Sequence, residues 1–254
     1  MTMNYNFNAE KATKECIQWI RDWFDKNGKD CKAIVGISGG KDSSIVAALC
    51  VEALGKDRVI GVMMPNGIQK DIDDARYLIH KLQINSYTIN IENIVDKSYD
   101  QLIANNSPIS RQVLINLPPR IRMSILYAVA QGNHGRVIGT GNLSENYIGY
   151  FTRWGDGAAD CEPLGNLTVQ EVNAIGHHLH LPEYLVDKTP ADGLCGFTDE
   201  QNIGFTYETL DYYLRTGEFT DKEVLQRINN LRQKNLFKQN DIPKYVPGLD
   251  VLFK

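Results

Sequence analysis

A glycine-rich polar turn near the start of the chain has the residue types that bind phosphate. Residues 36–44 read Gly-Ile-Ser-Gly-Gly-Lys-Asp-Ser-Ser and lie between a β-branched run and an apolar run. Adjacent glycines let main-chain N–H groups approach a ligand closely, and the N-terminus of a following helix adds the positive end of its dipole. Together with three serine hydroxyls, these groups predict a site for an anion with several oxygens, most simply pyrophosphate.

Asp42 lies inside this anion site, where a negative charge is unfavourable unless a cation is also bound. A Mg²⁺ ion that bridges Asp42 and the phosphates removes the conflict. The pattern matches neither a Walker A loop nor a Rossmann glycine fingerprint. The alternative is a glycine turn that binds nothing, but that leaves the three hydroxyls and the aspartate unexplained.

A second glycine-rich turn follows a later β-branched run and contains Thr140 and Glu145. If the two turns follow adjacent strands, Glu145 can reach a metal ion held by Asp42, and paired carboxylates beside phosphates are a usual arrangement for Mg²⁺. The alternative is that Glu145 only caps or solvates the start of a helix. Spacing alone does not separate the two interpretations.

Strands and helices alternate along the first part of the chain and must position these turns. We predict strands over residues 32–38, 58–65, 86–91 and 136–140, and helices over 8–27, 43–54, 71–82 and 120–131. Asp71 is the expected N-cap of the third helix, and Pro118-Pro119 the expected entry to the fourth. This alternation predicts an α/β fold, a doubly wound and mainly parallel sheet with helices on both faces, whose ligands bind beyond the carboxyl ends of the strands.

The pattern changes after residue 145. Residues 146–166 show no clear period and predict a long loop, whereas Thr168 and Glu171 form a capping box that opens a helix to about residue 178. Residues 187–204 again predict irregular structure, followed by helices at about 206–215 and 221–235. No stretch has the composition of a linker, so we expect one domain over residues 1–254.

Composition excludes several classes of protein. The chain has 254 residues, is 43% hydrophobic and 23% charged, and carries a formal net charge of −4, so it is neither disordered nor a basic coat for nucleic acid or an anionic membrane. Five cysteines, an odd number without a CxxC pair, indicate reduced thiols and a cytoplasmic protein. No apolar run is long enough to span a membrane.

Four motifs carry a resemblance to a known family. The turn at residues 38–44 resembles the pyrophosphate loop of the PP-loop ATP pyrophosphatases, whose fold is called adenine nucleotide α-hydrolase-like. The second turn, the block FTRWGDGAAD at residues 151–160 and PLGNLT at residues 163–168 are similar, in this order, to ammonia-dependent NAD⁺ synthetases. The resemblance covers roughly residues 9–245. It implies a ligase that adenylates the nicotinate carboxylate of deamido-NAD⁺ with ATP, releases pyrophosphate, and then uses ammonia to form NAD⁺ and AMP.

The resemblance also implies roles for individual residues. It places Asp42 and Glu145 on a catalytic Mg²⁺ ion, and it suggests a homodimer with the dinucleotide site at the interface. The residues expected to contact ATP are Gly36, Ile37, Ser38, Gly39, Gly40, Lys41, Asp42, Ser43, Gln69 and Thr140. Those expected to contact deamido-NAD⁺ are Arg120, Arg153, Asp160 and Lys238. The alternative for Arg120 is a solvated face of the helix that it starts, and the alternative for Lys238 is a solvated charge near the C-terminus.

The chain departs from the family pattern at a few positions. Val169 and Ala191 stand where many members have a lysine and a hydroxyl residue that contact ATP, and Phe237 replaces a histidine beside Lys238. Lys41 and Lys188 are candidates to replace the lost contacts. Because the phosphate turn and the two carboxylates are intact, these departures bear on ATP affinity more than on the reaction.

Two other functions are compatible with the motifs. One is a different PP-loop enzyme that amidates or thiolates another adenylated substrate, including one on tRNA, but the acidic net charge argues against an RNA partner. The other is a non-catalytic sensor of adenine nucleotides, which would not need two metal-binding carboxylates. The expected partners are therefore the small molecules ATP, deamido-NAD⁺ and ammonia, with neither nucleic acid nor membrane, and we expect ammonium rather than glutamine to supply the nitrogen.

Overall fold

A parallel sheet forms the centre of the molecule. The structure is a computed structural model that describes residues 5–188 and 198–245, and in this part of the chain four strands pair in the order β3-β2-β1-β4. The strands are β1 (Lys32–Gly36), β2 (Val59–Met63), β3 (Asn85–Thr88) and β4 (Gly135–Ile138). The helices are α1 (Ala9–Asn27), α2 (Lys41–Leu54), α3 (Ile72–Leu82), α4 (Glu92–Ala104), α5 (Arg111–Gly132), α6 (Leu143–Ile148), α7 (Val169–His178), α8 (Glu183–Val186), α9 (Asp199–Ile203), α10 (Tyr207–Thr216) and α11 (Lys222–Asn235).

The strand order creates a switch point between β1 and β4. The chain runs from β1 outward to β2 and β3, then crosses back to place β4 on the other side of β1. In the register, Ile34 of β1 lies opposite Ile60 of β2 and Val137 of β4. Because all pairs are parallel, the turns after β1 and β4 leave the same edge of the sheet side by side, where ligands bind in open α/β sheets.

Both faces of the sheet are covered by helices, as predicted. Side chains alternate along a strand, so Ala33 and Val35 of β1 pack with α1, α2, α3 and α7, whereas Ile34 packs with α4 and α5. A third apolar cluster joins α6, α7 and the helices α9 to α11 near the C-terminus. It includes Tyr207 and Leu210, which are almost fully buried, so α10 turns an apolar stripe inward.

Helix α5 begins earlier than predicted. Its N-cap is Ser110, and Pro118 and Pro119 lie inside the helix instead of at its entry. Pro118 has no N–H to donate to the Leu114 carbonyl one turn earlier. The Tyr99 hydroxyl on α4 donates to that carbonyl instead, at 3.4 Å, so the neighbouring helix satisfies the group that the proline leaves free. Helix α4 itself was not predicted.

Two irregular segments were predicted with partial success. Residues 143–148 form the short helix α6, so the first part of segment 146–166 is helical. Farther along that segment, Asp160 and Cys161 lie against the edge of β4, where Ile138 forms a bridge with Cys161. In the other segment, residues 199–203 form α9 where irregular structure was expected, and Ala191 and Cys195 lie outside the described residues. The capping box of Thr168 and Glu171 is confirmed.

None of the helices that the structure describes is long and apolar enough to cross a lipid bilayer.

Candidate active site

The turn between β1 and α2 is built around Gly39. This residue has φ +83°, and a Cβ atom on it would overlap the carbonyl oxygen of Asp71, so only glycine fits this position. The Ser38 hydroxyl accepts the Gly40 N–H at 3.1 Å and lies 3.1 Å from the Ser43 hydroxyl. Helix α2 begins at Lys41, directly after Gly40. The free N–H groups at its start and the hydroxyls of Ser38 and Ser43 therefore surround one small region.

Asp42 is held between a lysine and an asparagine. The Lys41 ammonium donates to both carboxylate oxygens of Asp42, at 2.9 and 3.1 Å, and Asn142 of the second turn donates to one of them at 3.3 Å. Lys41 is only 3% exposed. Burial lowers its pKa, but Asp42 and Glu145 outweigh burial and raise it overall, so Lys41 keeps its charge. The bond from Asn142 shows that the two turns meet.

Glu145 faces the same space from the first turn of α6. Asn142 caps this helix by accepting the Glu145 N–H at 3.1 Å. Burial of the carboxyl group, together with the negative charge of Asp42, raises the pKa of Glu145 to about 8, although Lys41 opposes the shift. Asp42 thus lies close enough to disfavour the charged form of Glu145.

A cavity of about 290 Å³ opens between the two turns. Six predicted residues line it, and so do five residues of segment 146–166 and a glycine of the second turn. The predicted residues are Ser38, Gly40, Asp42, Ser43, Thr140 and Glu145, and the others are Gly141, Asn146, Phe151, Asp156, Gly157 and Glu162.

Several of the lining residues were not identified from the sequence. Asp156 lies within the FTRWGDGAAD block, where its position between two glycines was a usable signal. Glu162 accepts a bond from Asn146 at 2.8 Å, and burial raises the pKa of its carboxyl group. Neither Asn146 nor Glu162 belongs to a pattern that separates it from ordinary polar residues.

The remaining predicted ATP residues do not line the cavity. Four of them belong to the first turn itself, namely Gly36, Ile37, Gly39 and Lys41. Gln69 lies outside it, and its side-chain amide donates to the Ser38 carbonyl at 2.7 Å. Val169 is nearly buried in the apolar cluster of the C-terminal helices, so it offers no polar group at this site.

Three of the predicted dinucleotide residues lie together beside the cavity. Arg120 donates to the main-chain oxygen of Arg153 at 3.2 Å. The Arg153 guanidinium lies over the rings of Trp154 and Phe237, at 4.9 and 5.7 Å from their centroids. Its Nε atom is buried and has no hydrogen-bond partner among the described residues. A buried donor of this kind is available to an anionic ligand.

Arg120, Arg153 and Lys238 form a basic cluster, and Lys238 connects it to the cavity. Its ammonium donates to the main-chain oxygens of Gly149 and Phe151, at 2.7 and 2.9 Å, and lies 5.4 Å from the centre of the Phe151 ring. Burial lowers the pKa of Lys238, against the effect of Asp156. Because Phe151 lines the cavity, a ligand that extends past this ring would meet the basic cluster.

Asp160 has a different setting from the other predicted dinucleotide residues. Its carboxylate accepts the Val137 N–H of β4 at 2.8 Å and the Tyr127 hydroxyl of α5 at 3.3 Å. The structure thus places Asp160 on the outer edge of the sheet, and none of its hydrogen bonds within the described residues reaches the basic cluster.

The two carboxylates of Asp42 and Glu145 have the chemistry of ligands for a hard divalent cation. Among residues 5–188 and 198–245, no group of three or more His, Cys, Asp or Glu side chains could hold a metal alone. Two carboxylates fit Mg²⁺, which commonly binds one or two protein carboxylates and takes its other oxygens from phosphates and water. The raised pKa of Glu145 is consistent with a cation site, because the two carboxylates need a positive charge to be ionised together. A bound cation would stabilise the charged form of Glu145.

Comparisons with known proteins identify the family of the chain. The family model described as NAD synthase matches residues 12–242. The NH₃-dependent NAD⁺ synthetase of Carboxydothermus hydrogenoformans is 37% identical, over 95% of this chain and 99% of the relative. That of Methanosarcina acetivorans is 42% identical, over 82% of each chain.

Solved structures give the same result. The structure of NMN synthetase from Francisella tularensis has a TM-score of 0.86 and 34% identity, over 96% of this chain and all of that one. The NH₃-dependent NAD synthetase of Campylobacter jejuni has a TM-score of 0.76 and 31% identity, over 95% and 100%. The strand order, the paired turns and these similarities lead to one conclusion, that the chain belongs to the NAD synthase family.

Proposed function

We propose that the cavity between the two turns is where ATP and deamido-NAD⁺ react. As a member of this family, the chain is a ligase that forms a C–N bond with ammonia as the nitrogen donor. The nicotinate carboxylate attacks the α-phosphorus of ATP and releases pyrophosphate, and ammonia then attacks the adenylate to give NAD⁺ and AMP. The observation that carries the proposal is the meeting of Asp42 and Glu145 around one cavity at the switch point of the sheet.

The turn residues would act on the phosphates of ATP. Free N–H groups at the start of α2 and the hydroxyls of Ser38 and Ser43 can donate to phosphate oxygens. Asp42 and Glu145 would hold Mg²⁺, which when bound supplies positive charge that stabilises the leaving pyrophosphate. Lys41 neutralises the negative charge of Asp42 and so reduces its repulsion of the phosphates.

The basic cluster would hold deamido-NAD⁺. Arg120, Arg153 and Lys238 supply positive charge to a substrate that carries phosphates and a carboxylate. The aromatic rings of Trp154 and Phe237 are exposed on either side of Arg153 and offer surfaces on which a base can stack. Arg153 itself would use its buried, unpaired Nε atom for a phosphate oxygen.

A homodimer would account for the separate position of Asp160. Helices α4 and α5 expose Ile94, Ile103 and Leu114, with exposed fractions of 46%, 62% and 48%, beside an apolar groove. An apolar face of this kind is typical of a subunit interface. If the dinucleotide site lies between two protomers, Asp160 of one protomer contacts a substrate held by the other.

The dimer can be tested with one exposed side chain on that face. Ile103→Lys should shift the protein toward a monomer in sedimentation velocity, because it places a charge in an apolar interface. Ile68→Lys is the control, since Ile68 is fully exposed on a different part of the molecule. If both variants sediment like the parent protein, α4 and α5 do not form the interface.

The activity is tested by mixing the protein with ATP, Mg²⁺, deamido-NAD⁺ and ammonium and measuring NAD⁺ and AMP together. We expect one AMP for each NAD⁺, and no NAD⁺ when purified glutamine replaces ammonium. AMP formation without NAD⁺ would point to another adenylated substrate, and ATP binding without AMP would point to a sensor.

Nicotinate mononucleotide is a second candidate substrate. The Francisella tularensis protein, described as an NMN synthetase, has the higher TM-score of the two structures compared above. The ratio of kcat/KM for nicotinate mononucleotide and deamido-NAD⁺ decides between them. A ratio above one would assign the mononucleotide to this site while keeping the same chemistry.

A further inference from the structure

Two side chains hold the phosphate turn from outside the cavity. Gln69 donates to the Ser38 carbonyl at 2.7 Å, and the Lys188 ammonium donates to the Gly39 carbonyl at 3.2 Å. Neither residue lines the cavity. The two consecutive carbonyl groups of the turn are therefore fixed by donors on the side away from the proposed ATP site.

Fixing these carbonyls also fixes two N–H groups. In a planar trans peptide the C=O and the following N–H point in opposite directions. The bond from Gln69 thus sets the direction of the Gly39 N–H, and the bond from Lys188 sets that of the Gly40 N–H. Because neither glycine has a side chain, this peptide group can reorient unless hydrogen bonds hold it, and the bond from Lys188 acts together with that of the Gly40 N–H to the Ser38 hydroxyl.

Lys188 is itself held by two carboxylates at the start of α3. Its ammonium lies 2.9 Å from Asp71 and 2.7 Å from Asp74, and its side chain is 27% exposed. Burial lowers the pKa of Lys188, but the bonds to Asp74 and Asp71 outweigh burial and raise it overall. Asp71 occupies the N-cap position of α3 without capping it, because its carboxylate binds Lys188 instead.

The same aspartate also touches the turn through its main chain. Gly39 packs so closely on the Asp71 carbonyl oxygen that no side chain would fit between them. Lys188 thus connects the Gly39 carbonyl to the segment on which Gly39 rests. The ammonium has three donors, and the structure assigns them three acceptors, on Gly39, Asp71 and Asp74.

We propose that Lys188 is a positioning residue for the ATP phosphates and does not contact them. It keeps the Gly39 carbonyl turned away from the cavity, so that the Gly39–Gly40 peptide turns its N–H, and not its oxygen, toward the side where phosphate binds. On that side the Gly40 N–H donates to the Ser38 hydroxyl, which lines the cavity. This inference rests on the proposed ATP site, and it differs from a direct role of Lys188 as a phosphate ligand.

Binding of inorganic pyrophosphate and steady-state kinetics test the proposal. Lys188→Met removes the ammonium and keeps most of the stem. We expect at least about 10-fold weaker pyrophosphate binding by calorimetry and a similar rise in the KM for ATP, with the KM for deamido-NAD⁺ unchanged. Lys188→Arg, which keeps the charge and the donors, should recover part of this loss. Lys56→Met is the control, because Lys56 bonds only to the exposed Gln83 side chain.

Asp74→Asn separates positioning from direct binding. If Lys188 positions the turn, loss of the Asp74 charge loosens Lys188 and raises the KM for ATP, and the effect is not additive with Lys188→Met. If Lys188 binds phosphate directly, Asp74→Asn frees the ammonium and lowers the KM for ATP. The second result would overturn the proposal.

Failure of the proposal differs from failure of the proposed function. If the parent protein binds pyrophosphate and Lys188→Met binds it equally well, with an unchanged melting temperature, Lys188 has no positioning role. If the parent protein binds neither pyrophosphate nor ATP, the proposed function falls, and the positioning role falls with it.

Discussion

The raised pKa of Glu145 makes the stability of the protein depend on pH in a way that one substitution removes. The pKa of this carboxyl group is about 8 in the folded protein, against an ordinary value of 4.5. Between these two pH values the folded state keeps a proton that the unfolded chain has lost. Stability from this group is therefore full below pH 4.5 and falls as the pH rises toward 8.

Glu145→Gln removes the titrating group and its pH dependence. Linkage gives the variant an advantage over the parent protein of about 1 kcal/mol at pH 5, about 3 kcal/mol at pH 7 and about 5 kcal/mol at pH 9. Water in the open cavity screens part of this effect, so we expect about 1 to 3 kcal/mol at pH 7. The trend with pH is the decisive quantity, because the substitution also changes local hydrogen bonds by an amount that does not vary with pH.

Urea unfolding with EDTA at pH 5, 7 and 9 measures this trend for both proteins. Addition of Mg²⁺ and pyrophosphate at pH 8 should then stabilise the parent protein and have little effect on the variant, because the variant has lost a metal ligand. Parallel stability curves for the two proteins from pH 5 to pH 9 would refute the burial of a protonated Glu145 beside Asp42.

Three further substitutions test the site. Asp42→Asn should lower the rate of AMP release at least about 100-fold, because Asp42 is a proposed metal ligand, and should also lower the melting temperature, because the buried Lys41 ammonium loses the carboxylate that neutralises it. Gly39→Ala should cost about 2 kcal/mol of unfolding free energy in urea, since φ is +83° there, whereas Gly132→Ala, which has open space around it, should cost much less. Arg153→Ala should raise the KM for deamido-NAD⁺ about 10-fold and leave the KM for ATP unchanged; an equal rise in both would contradict separate subsites.

The strands and their turns could be predicted because their signals are local. β1 and β4 are short β-branched runs that end at glycine, and the capping box of Thr168 and Glu171 needs only four residues. The contact between Asn142 and Asp42 could not be derived in this way. It joins residues 100 positions apart and depends on β4 pairing with β1, which the spacing of the motifs does not specify.

The incorrect predictions for Pro118 and Asp71 also arise from contacts between residues that are distant in sequence. Prolines end most helices, but Pro118 is tolerated because Tyr99, on another helix, donates to the carbonyl that the proline leaves free. Asp71 was expected to cap α3, but its carboxylate binds Lys188, which is 117 positions away. In both cases a tertiary partner replaced the local bond that the sequence pattern predicted.

Residues 137–161 have a consequence for the solubility of the protein. β4 is an edge strand, and the main chain of Asp160 and Cys161 bonds to Val137 and Gly139 along its open side. Asp160 and Cys161 thus cover main-chain groups of β4 that would otherwise be free to pair with a strand of another molecule. The covering residues Asp160 and Cys161 are continuous in sequence with Arg153 and Phe151 at the candidate active site. A change that releases them would expose the unpaired edge of β4 and would also disturb substrate binding. Inactive variants of this segment should therefore also aggregate more readily, whereas inactive variants of the phosphate turn should stay dispersed.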